Sequence, residues 1–239
     1  MTIALVTGAN KGIGREIAAG LVARGVTVLL CARDAELGAT AAQEVGARPM
    51  VLDVTDDGSV RAAAREVGER WGRLDVLVNN AGISGDLASQ APGRIDLANV
   101  RQVFETNVLG VIRVTEAMSP WLRRSDAARV VNVSSGVGSL GHQTDPGHYM
   151  SGLPASLAYP PSKTALNAVT VQYARAFARD GILVNAVAPG ACATDFTKDL
   201  GLGITRTAAD GAAVALRMAT LGADGPTGTF VDDEGTVRW

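Results

Sequence analysis

The sequence predicts an α/β fold, a doubly wound parallel sheet of about seven strands with helices on both faces, in a single domain over residues 1–239. Two observations carry this reading. Short, nearly continuous apolar runs alternate along the whole chain with longer segments of helical periodicity, as strands buried on both faces require. The first run passes at once into a glycine-rich turn and then a helix, so the alternation begins with a strand, tight turn and helix. With 239 residues, 47% of them apolar, the chain can bury one large core.

The elements follow in order. Thr2 to Val6 is the first strand, Thr7 to Gly14 the turn, and Arg15 to Arg24 the first helix. In the turn, Gly8 permits the reversal, Gly12 lets the backbone approach a pyrophosphate, and Gly14 allows helix to pack closely on strand; the helix amino end offers free N–H donors to phosphate. Val26 to Cys31 and Ala35 to Val45 form the next strand and helix, Arg48 to Leu52 and Asp56 to Trp71 the third pair. Leu74 to Val78 is a strand, Asn99 to Arg123 a long helix, and Arg129 to Ser134 a strand. A second long helix spans Pro160 to Arg179, with Pro160 and Pro161 suited to its first turn. Ile182 to Ala188, a helix near Thr207 to Leu221 and a strand near Gly228 to Val231 complete the pattern. In such a sheet ligands sit beyond the carboxyl ends of the strands, where Gly8, Asp53, Asn79, Ser134, Ser135 and Pro189 all fall.

Composition narrows the partners. A net charge of −2 from 22 basic and 24 acidic side chains, without a basic block, argues against nucleic acid or an anionic membrane. The first strand begins without a preceding signal-like segment, and no stretch is long enough to span a bilayer, so the expected location is cytoplasmic. Cys31 and Cys192 fit a reducing compartment as packing residues, and no metal site is expected.

Chemistry enters with Tyr159 and Lys163, one helical turn apart and pointing the same way. A phenol titrates near pH ~10 in water and becomes a useful acid and base near neutrality only beside positive charge, which Lys163 supplies.

Six motifs in order, Thr7-Gly-x3-Gly-x-Gly14, Asn79-Asn80-Ala81-Gly82, Asn107, Val131 to Ser135, Tyr159-x3-Lys163 and Pro189-Gly190-x3-Thr194, resemble the short-chain dehydrogenase/reductase family. Its fold is Rossmann-like. Within the family, the turn, the run Asp75 to Ile83 and an extended segment before the tyrosine resemble NADPH-dependent carbonyl reductases. The resemblance implies that Tyr159 donates a proton to a carbonyl oxygen, that Lys163 lowers the tyrosine's pKa and holds the nicotinamide ribose, and that Ser135 bonds the substrate oxygen. Asn107 would bind water and connect Lys163 to solvent; by itself it reads as a tolerated polar residue in a helix.

For the cofactor, the resemblance places Gly8, Asn10, Lys11, Gly12, Ile13 and Gly14 at the nucleotide, Asp53 and Val54 at the adenine, and Asn80, Ala81 and Gly82 along the adenosine ribose. Asp53 also reads as a helix cap before Thr55 and Asp56. An NAD-selective site offers a carboxylate at the end of the second strand; here that position is Ala32, followed by Arg33, and Asp34 reads as a helix cap. Arg33 and Lys11 favour NADP(H). Pro189, Gly190 and Thr194 turn the chain beside the nicotinamide, and residues 193–206 form a flap offering Phe196 and Leu200 to the substrate.

The serine stays open, because Ser135 lies 24 positions before Tyr159, about twice the spacing in compact members of the family; Ser134 or Ser139 could serve instead. The excess is an inserted surface loop over 139–158, holding His142, His148 and Tyr149, expected to cover the substrate. The reading is an oxidoreductase that reduces an aldehyde or ketone with NADPH. An NADP-binding sensor without turnover, which would not need Tyr159 and Lys163, and an alcohol dehydrogenase working in the oxidative direction are the alternatives. The two long helices, apolar around much of their circumference, favour a homo-oligomer.

Overall fold

Strands that are apolar at every position gain most when both faces are covered, and the chain achieves this with one seven-stranded parallel sheet. The computed structural model describes residues 1–198 and 203–239. The elements are β1 (Ile3–Val6), α1 (Gly12–Val22), β2 (Thr27–Ala32), α2 (Ala35–Val45), β3 (Arg48–Val51), α3 (Asp57–Arg70), β4 (Val76–Asn79), α4 (Leu97–Phe104), α5 (Gly110–Leu122), β5 (Arg129–Val133), α6 (Leu140–Gln143), α7 (Tyr159–Phe177), β6 (Leu183–Val187), α8 (Ala208–Ala219) and β7 (Phe230–Val231). Strand order is β3-β2-β1-β4-β5-β6-β7, every neighbour parallel.

Alternate strand residues feed two cores. Ile3, Leu5, Leu29 and Leu77 pack with α3, α5 and α7, while Ala4, Val6, Val28 and Val78 pack with α1, α2 and α8. The strand order reverses between β1 and β4, which opens a crevice beyond their carboxyl ends. Among the described residues, no helix is long and apolar enough to cross a membrane.

Two segments differ from the sequence reading. The helix expected over Asn99 to Arg123 is two helices, α4 and α5, joined by a π turn over Glu105–Leu109; the wider turn carries the buried Asn107, and such turns concentrate at functional sites. The segment 139–158 is less loop-like than expected. It contains α6 and a 3-10 turn, and it docks on the chain's last residues: the Gly141 N–H donates to the Trp239 carbonyl at 2.8 Å, and the Ser139 hydroxyl donates to the Arg238 carbonyl.

Candidate active site

The glycine turn is built by close approach. Gly8, at φ +61°, lies so near the β4 turn that a Cβ there would sit 2.8 Å from the Ala81 Cα, and a Cβ on Gly14 would sit 2.6 Å from the Gly8 carbonyl oxygen. Thr7 stitches the two turns together: its hydroxyl oxygen accepts from the Asn80 and Ala81 N–H groups, each at 3.0 Å. Asn80 reaches back under the glycine turn. Its amide nitrogen donates to the Thr7 and Gly8 carbonyls at 2.9 and 3.0 Å, so the side chain braces the turn from below.

The amino end of α1 has no side-chain cap and no acidic residue in its first turn, leaving its N–H groups and positive dipole for an anionic ligand. Asn10 and Ile13 are partly buried beside it. The Lys11 ammonium pairs with Asp195 at 2.8 Å, linking the turn to the segment after β6. Thr194 lies over Gly12, where a Cβ would sit 3.6 Å from its Cγ2, and the Thr194 hydroxyl donates to the Cys192 carbonyl. Pro189 and Gly190 make the bend that brings this segment over, with Gly190 at φ +76° and the Arg206 guanidinium on the Pro189 carbonyl at 2.9 Å.

At the end of β2, Arg33 is exposed and makes no hydrogen bond or ion pair among the described residues. Asp34 caps α2 by accepting from the Leu37 N–H at 2.9 Å. Asp53 is not the cap of α3, which is Asp56; it closes a local turn by accepting from the Thr55 N–H and hydroxyl at 2.8 and 2.7 Å. Its partial burial works against the charge, but the two Thr55 bonds and the charges of Arg33 and Arg113 prevail and hold its carboxyl below the ordinary range. Val54 is buried and gives its carbonyl to Arg113 at 2.7 Å.

The three candidate serines differ in burial and partners. Ser134 is buried and donates to the Asn167 side chain at 2.6 Å, and Ser139 is fully buried on the carboxyl-terminal segment, so both hydroxyls are committed. Ser135 is partly exposed, its side chain caps nothing, and it lies by the Tyr159 phenol, near enough to favour the phenolate. Burial pushes that phenol up to about 12, with the nearby Ser135 hydroxyl pulling in the other direction. The Phe196 ring lies against the Tyr159 ring, centroids 5.4 Å apart. Leu200, its expected companion, lies outside the described residues.

Lys163 is buried, with its ammonium donating to the Val133 carbonyl at 2.9 Å and lying 5.7 Å from the Tyr159 ring centroid. Burial lowers its pKa to about 8. Gly82 makes room between Lys163 and Asn107: a Cβ there would be 3.5 Å from the lysine Nζ and 3.2 Å from the Asn107 Oδ1. The Asn107 side chain is a strut, a role the sequence reading lacked. Its amide donates to the Ile83 carbonyl and the Ser162 hydroxyl at 2.9 and 3.0 Å, and its oxygen accepts from the Ile83 N–H at 2.9 Å.

Three residues that no motif marks complete the surroundings. Met150 covers Gly136 next to Ser135, where a Cβ would meet its Cε at 2.3 Å. Ser162 bonds the Tyr159 carbonyl at 2.7 Å, and the fully buried Gln90 bonds the Tyr159 N–H at 3.0 Å. A lone glutamine such as Gln90 carries no sequence signal of a partner 69 positions away. The stacked rings of His142 and His148, 4.0 Å apart, lie on the inserted segment, and no group of three or more His, Cys, Asp or Glu that could hold a metal occurs among the described residues.

The chain is similar to known proteins over most of its length. A family model described as short chain dehydrogenase matches residues 2–204. A short-chain dehydrogenase of Penicillium roqueforti is 37% identical over 246 residues, 98% of this chain and 95% of the relative. A rhamnolipids biosynthesis 3-oxoacyl-acyl-carrier-protein reductase of Pseudomonas aeruginosa is 34% identical over 224 residues, 90% of this chain and 82% of the relative. The crystal structure of NADPH-bound carbonyl reductase from chicken fatty liver superposes with a TM-score of 0.84 at 29% identity, covering 100% of both chains.

Proposed function

This chain belongs to the short-chain dehydrogenase family, and we propose that within it the protein is an NADP(H)-dependent carbonyl reductase acting on an aldehyde or ketone of largely apolar character. The observation that carries the reading is the meeting of a half-buried phenol with the one uncommitted hydroxyl of the Ser134, Ser135 and Ser139 set. The Tyr159 O–H donates its proton to the carbonyl oxygen as negative charge develops there, and the Ser135 hydroxyl bonds the same oxygen and orients it. Charged Lys163 beside the ring stabilises the phenolate left behind. Phe196 and Met150 give the substrate side an apolar lining.

NADP(H) supplies the hydride when bound. The residues present fit it: the uncapped amino end of α1 suits a pyrophosphate, Lys163 suits ribose hydroxyls, and exposed Arg33 suits a 2′-phosphate where Ala32 and the capping Asp34 offer ribose no free carboxylate. NADPH bound to the chicken carbonyl reductase supports this choice, and the Pseudomonas reductase supports ketone reduction. The direction of flow follows metabolite levels, since one lowered barrier serves both senses. A second copy packing on α4 and its π turn, where Leu97 and Leu109 are exposed, gives the proposed homo-oligomer its contact.

The test is nucleotide binding and turnover in parallel for wild type and Arg33→Ala. Loss of one charge-assisted phosphate contact should weaken NADPH about tenfold while NADH stays within about twofold. Equal loss of both nucleotides, or no loss of either, contradicts the assignment.

A further inference from the structure

A helix begins with N–H groups that its own turns cannot satisfy. In α7 two of the first positions, Pro160 and Pro161, have no N–H, and the Ser162 N–H already reaches the Ala158 carbonyl at 2.9 Å. Ala158 contributes no side-chain cap. The orphan donor of this turn is therefore the N–H of Tyr159 itself, and its acceptor comes from 69 positions earlier in the chain: Oε1 of Gln90, at 3.0 Å.

Gln90 is 0% exposed and lies between β4 and α4. Its Oε1 also accepts from the Ser156 hydroxyl at 2.8 Å, its Nε2 donates to the Ser84 carbonyl at 2.6 Å, and its own carbonyl accepts from the Leu157 N–H at 2.9 Å. One side chain thus joins the segment after β4, the end of the inserted segment and the first residue of α7. We propose that Gln90 is a positioning residue for Tyr159, fixing the start of α7 and the end of the 139–158 segment to one point so that the phenol is held against Ser135. The inference rests on the reading of Tyr159 as proton donor. Its force comes from geometry: a reacting group displaced by about 1 Å costs about a hundredfold in rate.

Two variants separate positioning from mere packing. Gln90→Met keeps the volume and removes every side-chain bond; it should lower kcat about ten- to a hundredfold per folded enzyme, with NADPH affinity by fluorescence within about twofold of wild type. Gln90→Glu keeps the acceptor, and while protonated it keeps the donor to Ser84; a buried carboxyl holds its proton to higher pH than an exposed one. Its kcat should approach wild type at the acid end and fall as pH rises, because ionisation turns the Ser84 contact repulsive and loosens the point that fixes the start of α7. That fall should begin at lower pH than any in the wild type.

Folded Gln90→Met with wild-type kcat, or Gln90→Glu with the wild-type pH profile, overturns the inference; if Gln90→Met does not fold, the Gln90→Glu profile decides. Tyr159→Phe is assayed alongside. Retained turnover there overturns the tyrosine reading and this inference together, whereas an inactive Tyr159→Phe beside unaltered Gln90 variants overturns this inference alone.

Discussion

Tyr159→Phe is expected to lower turnover by about 10²- to 10⁴-fold, the range that a positioned general acid supplies. The substitution removes one oxygen and little else. The ring keeps its contact with Phe196, 5.4 Å between centroids, and the backbone keeps its bonds to Gln90 and Ser162, so folding and NADPH affinity should remain close to wild type. Burial pushes the phenol up to about 12, which keeps the proton in place for donation through the whole practical pH range. The measurement is steady-state kcat with nucleotide affinity determined separately. Turnover within tenfold of wild type would remove Tyr159 from the chemistry.

Lys163→Met should show the second largest loss, about 10²-fold or more in kcat, together with weaker nucleotide binding if the ammonium also holds ribose hydroxyls. The pH dependence gives the assignment a sign. Burial lowers this ammonium from 10.5 to about 8, so it is charged below that pH and neutral above it. Wild-type reduction should therefore decline as pH rises through about 8, or somewhat higher with the anionic phosphates of NADPH nearby; Lys163→Met should lack that decline. Stability runs in the opposite sense. Between about 8 and 10.5 the unfolded chain binds the proton that the folded chain has released, so the lysine's contribution to stability rises with pH across this window. Relative to wild type, Lys163→Met should be most favoured in thermal unfolding below pH 8 and lose that advantage towards 10.5.

Much of this fold was legible because its signals are local. Continuous apolar strands, helical periodicity and a glycine turn are each visible within about a dozen residues, and the strand ends put Gly8, Ser135 and Pro189 near one crevice. What was hidden depends on partners distant in sequence. Asn107 sits on a π turn inside what read as one long helix, and its side-chain partners Ile83 and Ser162 are 24 and 55 positions away. Lys11 pairs with Asp195, 184 positions on, a partner that no local pattern announces. Asn80 turned inward for the same kind of reason, because Gly8 and Gly14 leave carbonyls within its reach. Gln90 had no signal at all, since a lone glutamine between β4 and α4 acquires meaning only when Tyr159 packs beside it. Ser134, Ser135 and Ser139 could not be ranked from spacing; burial and the carbonyl of Arg238 separated them.

The most direct measurement incubates the purified protein with NADPH deuterated at the transferable position of the nicotinamide and a panel of aldehydes, diketones, keto esters and aryl ketones, and reads the alcohols by mass spectrometry. The account predicts an alcohol carrying one deuterium on the former carbonyl carbon, formed by wild type and nearly absent with Tyr159→Phe. Tight NADPH binding with no deuterium in any product would contradict it and leave a nucleotide-binding protein without turnover.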